Sequence, residues 1–222
     1  IDAKGLAPVG DAFPVAESVT YQGGGLHKAE YTISANGMLV YRSATGMRTA
    51  RLLWRDLRGK EIGSLGDGLD VYAPRLSQDG KRVAFSRRDG SNTDIWVGEG
   101  NTTSRFTFDP GFDSYPVWSP DGASIAFSSA AAGPLNLYRK SSSGAGNPER
   151  LTNSPLTQYL VDWSGDGRFL MYVEVGQETG FDLMVLPMSA GEKPFLFLQT
   201  KFQETQGRFS PNASRWIAYA SD

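Results

Sequence analysis

A four-residue turn recurs five times along the chain, and its even spacing constrains the fold more than any other feature of the sequence. Each copy begins with serine and has Asp or Asn as its third residue, and Gly follows in the first four copies. The serines are Ser34, Ser77, Ser119, Ser164 and Ser210, spaced 43, 42, 45 and 46 residues apart. Asp-Gly and Asn-Gly pairs tolerate the positive φ of a tight hairpin, so each copy predicts a turn between two strands.

The residues that flank each turn also repeat, and they predict short strands. A large apolar residue precedes each serine, and a short run containing an aromatic residue follows each turn. A third run follows in the first four copies, and a fourth is clearest at 105–108 and 150–153. Four short antiparallel strands in about 40 to 45 residues is the pattern of a β-propeller blade.

The repeat therefore predicts an all-β chain, folded as a single β-propeller domain over residues 1–222. We expect four full four-stranded antiparallel blades and a partial fifth, with a lone strand at 13–21 before them. The expected blades cover 26–66, 69–109, 113–154, 158–200 and, for the partial one, 205–222. An unfinished blade exposes strand edges that invite pairing. The N-terminal strand could complete it within the chain, two chains could complete each other as a homodimer, or the chain could be part of a longer parent.

The motif at 115–122, continued by the apolar run at 125–128, resembles the WD-repeat-like blade of TolB-type propellers. The longer stretch from Pro74 to Pro110 resembles the propeller region fused behind some bacterial Ser/Thr protein kinases. These resemblances imply a sensing or scaffold module of a larger bacterial protein, with a periplasmic or extracytoplasmic location favoured. The blade motif is shared by proteins of many functions, so it predicts the fold more strongly than the activity.

Charge and composition exclude several classes of function. The chain has 22 basic and 24 acidic residues, so no basic excess is present to neutralise a nucleic-acid backbone. It has no cysteine, which excludes disulfides and thiolate metal sites. No apolar stretch is long enough to form a transmembrane segment. His27 is the only histidine, and no Gly-x-Ser-x-Gly elbow accompanies it, so no catalytic residue is predicted.

Two sets of polar residues are candidates for ligand binding at the channel mouth. The residues two positions before each serine should form one layer near the channel, as a polar ring for an ion or as inter-blade ion pairs. They are Thr32, Arg75, Val117, Asp162 and Arg208. The loops that enter the first strand of each blade should converge on one face of the disc. They carry His27, Asp70, Tyr72, Asp113, Tyr115, Tyr159 and Glu204.

These features favour a non-catalytic module that binds a protein or peptide on its loop face and needs no cofactor. The alternative is a hydrolase or lyase with a carboxylate-bound metal, which requires Asp70, Asp113 and Glu204 to converge. Ca²⁺ is the cation such carboxylates would suit. Carbohydrate binding is a third hypothesis and requires exposed aromatic residues on the same face. The five tryptophans are instead expected to fill space between blades; they are Trp54, Trp96, Trp118, Trp163 and Trp216.

Overall fold

The computed structural model describes residues 15, 19, 21–22, 28–29, 31–34, 36–44, 50–56, 58–178, 180–210 and 216–221. Within these ranges every regular element is a β-strand and none is a helix, which confirms the predicted all-β class. No helix long enough to cross a membrane is therefore found in the described part of the chain. His27 and most of the expected strand at 13–21 lie outside the described residues.

Antiparallel strands follow one another along the chain and form the blades. Strands β1 (Tyr21–Gln22) and β2 (Lys28–Ala29) pair only with each other among the described strands. Blade one then contains β3 (Tyr31–Ile33), β4 (Leu39–Ala44), β5 (Ala50–Arg55) and the first part of β6 (Glu61–Leu76). Blade two contains the rest of β6 with β7 (Arg82–Asp89), β8 (Asn92–Glu99) and β9 (Thr102–Arg105).

The 16-residue strand β6 is shared by blades one and two. Up to Leu69 it pairs with β5, and from Asp70 onward it pairs with β7. It is therefore the outermost strand of blade one and the innermost strand of blade two, and the two blades form one continuous seven-stranded sheet.

The remaining blades are separate sheets. Blade three contains β10 (Asp113–Trp118), β11 (Ser124–Ser129), β12 (Asn136–Ser141) and β13 (Glu149–Arg150). Blade four contains β14 (Gln158–Trp163), β15 (Phe169–Gly176), β16 (Gly180–Pro187) and β17 (Phe195–Leu198). The last sheet has two described strands, β18 (Glu204–Phe209) and β19 (Ile217–Ser221), which pair only with each other among the described strands.

The fourth strands of blades two and three end earlier along the chain than the sequence predicted. Strand β9 ends at Arg105 and β13 ends at Arg150, so the expected strands at 105–108 and 150–153 do not form. The chain stays close to its sheet, because the backbone N–H of Phe106 donates to the carbonyl of Ile95 at 2.8 Å. Beyond that point, 107–112 carries the chain across to the next blade instead of extending the ladder.

Apolar side chains fill the seams between consecutive blades. Phe85 and Trp54 belong to the cluster between blades one and two, and Phe127 and Trp118 to that between blades two and three. Trp163 and Tyr172 belong to the cluster between blades three and four. Each blade thus buries its flat faces against its neighbours, as a propeller requires.

Trp216 departs from the predicted role of the tryptophans. Its side chain is 74% exposed and precedes β19, where no further described strand covers it. The other tryptophans are buried or half-buried in the seams. The expectation that Trp216 fills space between blades is therefore wrong for the described residues, because the last sheet lacks a third strand there.

The recurring turn is built around its serine. The Ser119 Oγ donates to the Asp121 Oδ1 at 2.5 Å and accepts from the backbone N–H of Ser124 at 2.9 Å. The same pair of bonds is present at Ser77 and Ser164. Gly122 takes a φ of 69°, which explains the glycine at the end of the motif. The hydrogen bond from Ser119 holds the pKa of the Asp121 carboxyl below its ordinary value.

Replacing Ser119 with alanine should therefore lower the free energy of unfolding by about 1 to 2 kcal/mol. The substitution leaves the Ser124 N–H and the Asp121 carboxylate without this partner. Urea unfolding followed by tryptophan fluorescence measures the loss. Ser143→Ala is the matched control, because Ser143 is exposed and lies outside the recurring turns. Equal stabilities of the two variants would show that the turn serine does not hold the hairpin.

Candidate functional site

A pocket of about 420 Å³ opens where the first strands of blades one, two and four meet the first strand of the last sheet. We call it the channel pocket. Arg75, Asp162 and Arg208 line it from β6, β14 and β18, and Thr32 lines it from β3. Its other lining residues are Tyr31, Ile33 and Gln206. Four of the five residues expected in the inner layer are thus brought together, whereas Val117 is buried between blades three and four.

A bulge in the first strand of blades two, three and four and of the last sheet sets the direction of the side chains there. The pairing register shifts between Tyr72 and Arg75 in blade two, and corresponding shifts occur in blades three, four and five. Three non-glycine residues take a positive φ there, namely Ala73 at 50°, Tyr115 at 56° and Gln206 at 57°. Such backbone positions are costly and concentrate at functional sites.

The positive charges of the channel pocket are partly neutralised by one carboxylate. Arg208 lies 3.9 Å from the Asp162 carboxylate and donates to the carbonyl of Val161. Arg75 lies across the same carbonyl, with its Nη2 at 3.5 Å from the Val161 oxygen. The second Asp162 oxygen accepts from the backbone N–H of Phe209 at 2.8 Å. The two guanidinium groups therefore converge on one carbonyl, and the lining of the pocket carries two cationic side chains and one carboxylate.

The three predicted tyrosines form a continuous edge-to-face row across blades two, three and four. The ring centroids of Tyr72 and Tyr115 are 6.2 Å apart, and those of Tyr115 and Tyr159 are 5.4 Å apart. Phe181 continues the row at 6.3 Å from Tyr159. Burial raises the pKa of the Tyr159 hydroxyl. The row gives the first strands a rigid aromatic support.

The acidic residues expected at the channel mouth do not meet there. Asp70 pairs with Arg88 at 3.9 Å on the side of blade two. Asp113 and Glu204 are only 1% and 0% exposed, and neither lines the channel pocket. The bulges explain this difference: a one-residue shift reverses the direction of side chains on one side of it relative to the other. Among the described residues, no three acidic or histidine side chains are placed to hold a metal ion.

Asp113 and Glu204 instead belong to a buried polar arrangement that repeats between blades. In blade four the position is Gln158, which accepts from the Thr152 hydroxyl at 2.5 Å and donates to Glu174 at 2.7 Å. Glu204 accepts from the Thr200 hydroxyl at 2.5 Å. Asp113, Gln158 and Glu204 each lie six residues before a turn serine, so the repeat spacing groups them. The spacing does not show towards which face of the strand their side chains point.

Asp113 differs from Gln158 because its carboxylate is poorly satisfied. Neither of its oxygens has a hydrogen-bond partner of normal geometry. Burial raises the pKa of Asp113 to about 6, and the nearby carboxylates of Asp94 and Asp109 add to the rise. The hydroxyls of Ser129 and Thr107 oppose it only in part.

This architecture is that of a known protein family. The model of the TolB β-propeller domain matches residues 58–222. The chain belongs to the TolB β-propeller family. This confirms the resemblance of the blade motif to TolB-type propellers.

Solved structures of two TolB proteins have the same fold as this chain. TolB from Acinetobacter baumannii is 25% identical, with a TM-score of 0.69 over 83% of this chain and 46% of that one. The putative TolB from Agrobacterium tumefaciens is 17% identical, with a TM-score of 0.74 over 91% of this chain and 78% of that one. The similarity confirms the propeller of four-stranded blades.

One curated relative is an enzyme by name. The uncharacterized peptidase YuxL of Bacillus subtilis is 31% identical over 124 residues, which cover 51% of this chain and 19% of the relative. The chain therefore matches about a fifth of that protein's length and less than half of the Acinetobacter TolB. The similarity to the peptidase thus covers only part of each of the two proteins.

Proposed function

We propose that this TolB-type propeller is a non-catalytic module that binds a protein partner through an extended peptide segment at the channel pocket. The observation that carries the proposal is the convergence of Arg75 and Arg208 on a pocket of about 420 Å³. Their bulged strands hold both guanidinium groups at fixed positions, which lowers the cost of ordering them when a partner binds.

The pocket chemistry favours an acidic segment that also carries an apolar residue. Arginine presents several N–H donors in one plane and binds carboxylates in a bidentate manner. Tyr31 and Ile33 are 50% and 56% exposed beside the arginines and offer an apolar surface. A carboxylate of the partner would compete with Asp162 for Arg208, so the module would exchange an internal ion pair for an intermolecular one.

The role in the cell would be that of a sensing or scaffold part of a larger bacterial protein. Support comes from the family and from the short match to a longer relative named as a peptidase. A metal-dependent hydrolase or lyase has no specific support among the described residues, because Asp70, Asp113 and Glu204 lie apart. The binding hypothesis therefore has priority.

A displayed peptide library tests the proposal with a defined probe. Selected peptides should be enriched in Asp and Glu beside an apolar residue. Arg75→Gln and Arg208→Gln should each weaken binding of a selected peptide about tenfold, because each removes a charge-assisted contact. Fluorescence polarisation of the labelled peptide measures the affinity, and binding should weaken as salt concentration rises.

The control variant is Arg139→Gln, which removes a guanidinium on β12 that pairs with Glu149 at 2.6 Å, outside the channel pocket. It should bind the peptide like the wild type. Asp162→Asn should strengthen binding, because it releases Arg208 from its internal partner. Selected peptides without acidic residues, or equal affinities for all variants, would refute the channel pocket as the binding site.

A further inference from the structure

A second cavity, of about 430 Å³, lies at the seam between blades two and three and shares no lining residue with the channel pocket. We call it the seam cavity. The linker after β9 forms one wall of the cavity, β11 and β12 form the second, and the loop before β13 forms the third. The residues that matter for its chemistry are Phe108, Asp109, Asp113, Phe127, Tyr138 and Lys140.

Asp113 lines the seam cavity, and the hydroxyls of Ser129 and Thr107 offset the burial of its carboxylate only in part. Only 1% of its surface is exposed, and neither carboxylate oxygen has a hydrogen bond of normal geometry. The corresponding Gln158 of the next blade is satisfied on both sides. A buried carboxylate that is only partly satisfied is costly, so a further donor in the cavity would stabilise it.

The charges around the seam cavity add up to one net negative charge when Asp113 is ionised. Asp94 is neutralised by Arg105 at 2.8 Å. Lys140 balances one of the two remaining carboxylates, Asp109 and Asp113. The Lys140 ammonium group donates to the backbone carbonyl of Phe106 at 3.1 Å and lies over the phenyl ring of the same residue. These two contacts hold the ammonium group in place. A ligand with one positive charge would therefore complete the charge balance.

The walls of the seam cavity suit a compact apolar or aromatic body. The rings of Phe127 and Tyr138 are stacked, with centroids 6.2 Å apart and planes 21° from parallel. Phe108 is 68% exposed at the cavity, and Arg105 and Lys140 lie 5.4 and 5.7 Å from the centroid of its ring. Aromatic faces attract organic cations as well as apolar groups. Pockets of about 300 to 1,000 Å³ are typical of small-molecule sites.

We propose that the seam cavity binds a small primary amine, with its ammonium group on Asp113 and its apolar body against Phe108 and the Phe127–Tyr138 pair. This site is separate from the proposed peptide site in the channel pocket. It would make the propeller a receptor for two ligands of opposite charge, an acidic peptide segment in the channel and an organic cation at the seam.

Isothermal titration calorimetry with 2-phenylethylamine tests the proposal on the full chain. The neutral isostere 2-phenylethanol is the matched ligand control and should bind at least tenfold more weakly, because it cannot pair with the carboxylate. Amide shifts in NMR spectra should locate the amine, with changes at Phe108, Lys140 and Asn147 and none at Thr32 in the channel.

Three variants separate a binding role from a folding role. Asp113→Asn should weaken the amine about tenfold, while Asp182→Asn, which changes a buried aspartate in blade four, should leave its affinity unchanged. Phe108→Ala should weaken the amine about threefold, and its exposed position keeps the fold intact. Absence of amine binding at millimolar concentration, equal binding of the alcohol, or unchanged affinity in Asp113→Asn would each overturn the proposal.

Discussion

Replacing Phe127 with alanine should lower the free energy of unfolding by about 3 to 5 kcal/mol. Phe127 is 1% exposed and lies in the seam between blades two and three. Its ring meets Phe106 edge-to-face at 6.4 Å and stacks on Tyr138 at 6.2 Å. Removal of the ring leaves a void that the rigid sheets on either side cannot close, so the cost exceeds the lost transfer free energy.

The measurement is urea unfolding followed by far-UV circular dichroism. The expected loss is a large share of the total stability of about 5 to 15 kcal/mol that is typical of a domain. Phe202→Ala is the matched control, because Phe202 is 46% exposed and its loss should change the free energy of unfolding by at most about 0.5 kcal/mol. A change below about 1 kcal/mol in Phe127→Ala would mean that the seam is not a stabilising core.

Replacing Asp113 with asparagine should stabilise the chain at neutral pH and remove part of its pH dependence. The pKa of Asp113 is raised from 3.8 to about 6, chiefly by burial, with Asp94 and Asp109 adding to the rise. Ser129 and Thr107 oppose the rise through their hydroxyls, and Lys140 faces the same cavity. The folded chain therefore holds a proton that the unfolded chain releases more readily.

The sign of the effect follows from this difference in proton binding. Between about pH 4 and pH 6 the folded state binds more protons at Asp113 than the unfolded state, so this group's contribution to stability falls as the pH rises. The full difference at pH 7 corresponds to about 3 kcal/mol, since one pKa unit equals about 1.4 kcal/mol. Asparagine carries no charge and avoids this cost.

The difference in unfolding free energy between Asp113→Asn and the wild type should therefore grow from pH 4 to pH 7. Urea titrations at pH 4, 5, 6 and 7 measure it. Asp121→Asn is the opposite case, because the pKa of Asp121 is lowered by its bond to Ser119. It should be less stable than the wild type, by an amount that stays constant between pH 5 and pH 7. A pH-independent difference for Asp113→Asn would contradict the raised pKa.

The sequence predicted the blade because the turn chemistry is local. Ser119, Asp121 and Gly122 satisfy one another within a few residues, so their spacing carries the fold without any knowledge of tertiary contacts. The residues of the inner layer could be predicted from the sequence for the same reason. Arg75 and Arg208 lie after the bulge, on the same side of it as the serine from which their positions were counted.

The sequence could not place the acidic residues, because they lie before the bulge. Asp113 precedes the register shift between Ser114 and Val117, and Glu204 precedes the shift between Thr205 and Arg208. The extra residue in the bulge breaks the simple alternation of faces on which a count from the serine depends. The buried position of Asp113, and hence the seam cavity, became visible only from the backbone geometry.

Strand β6 gives the propeller an uneven resistance to force. Blades one and two share the backbone of β6, which is hydrogen-bonded to β5 in blade one and to β7 in blade two. Blade three is joined to blade two by the irregular stretch at 106–112, which has no ladder of its own. Under tension the first two blades would stay together longest, because the later blades are joined only by irregular stretches, at 106–112, 151–157 and 199–203.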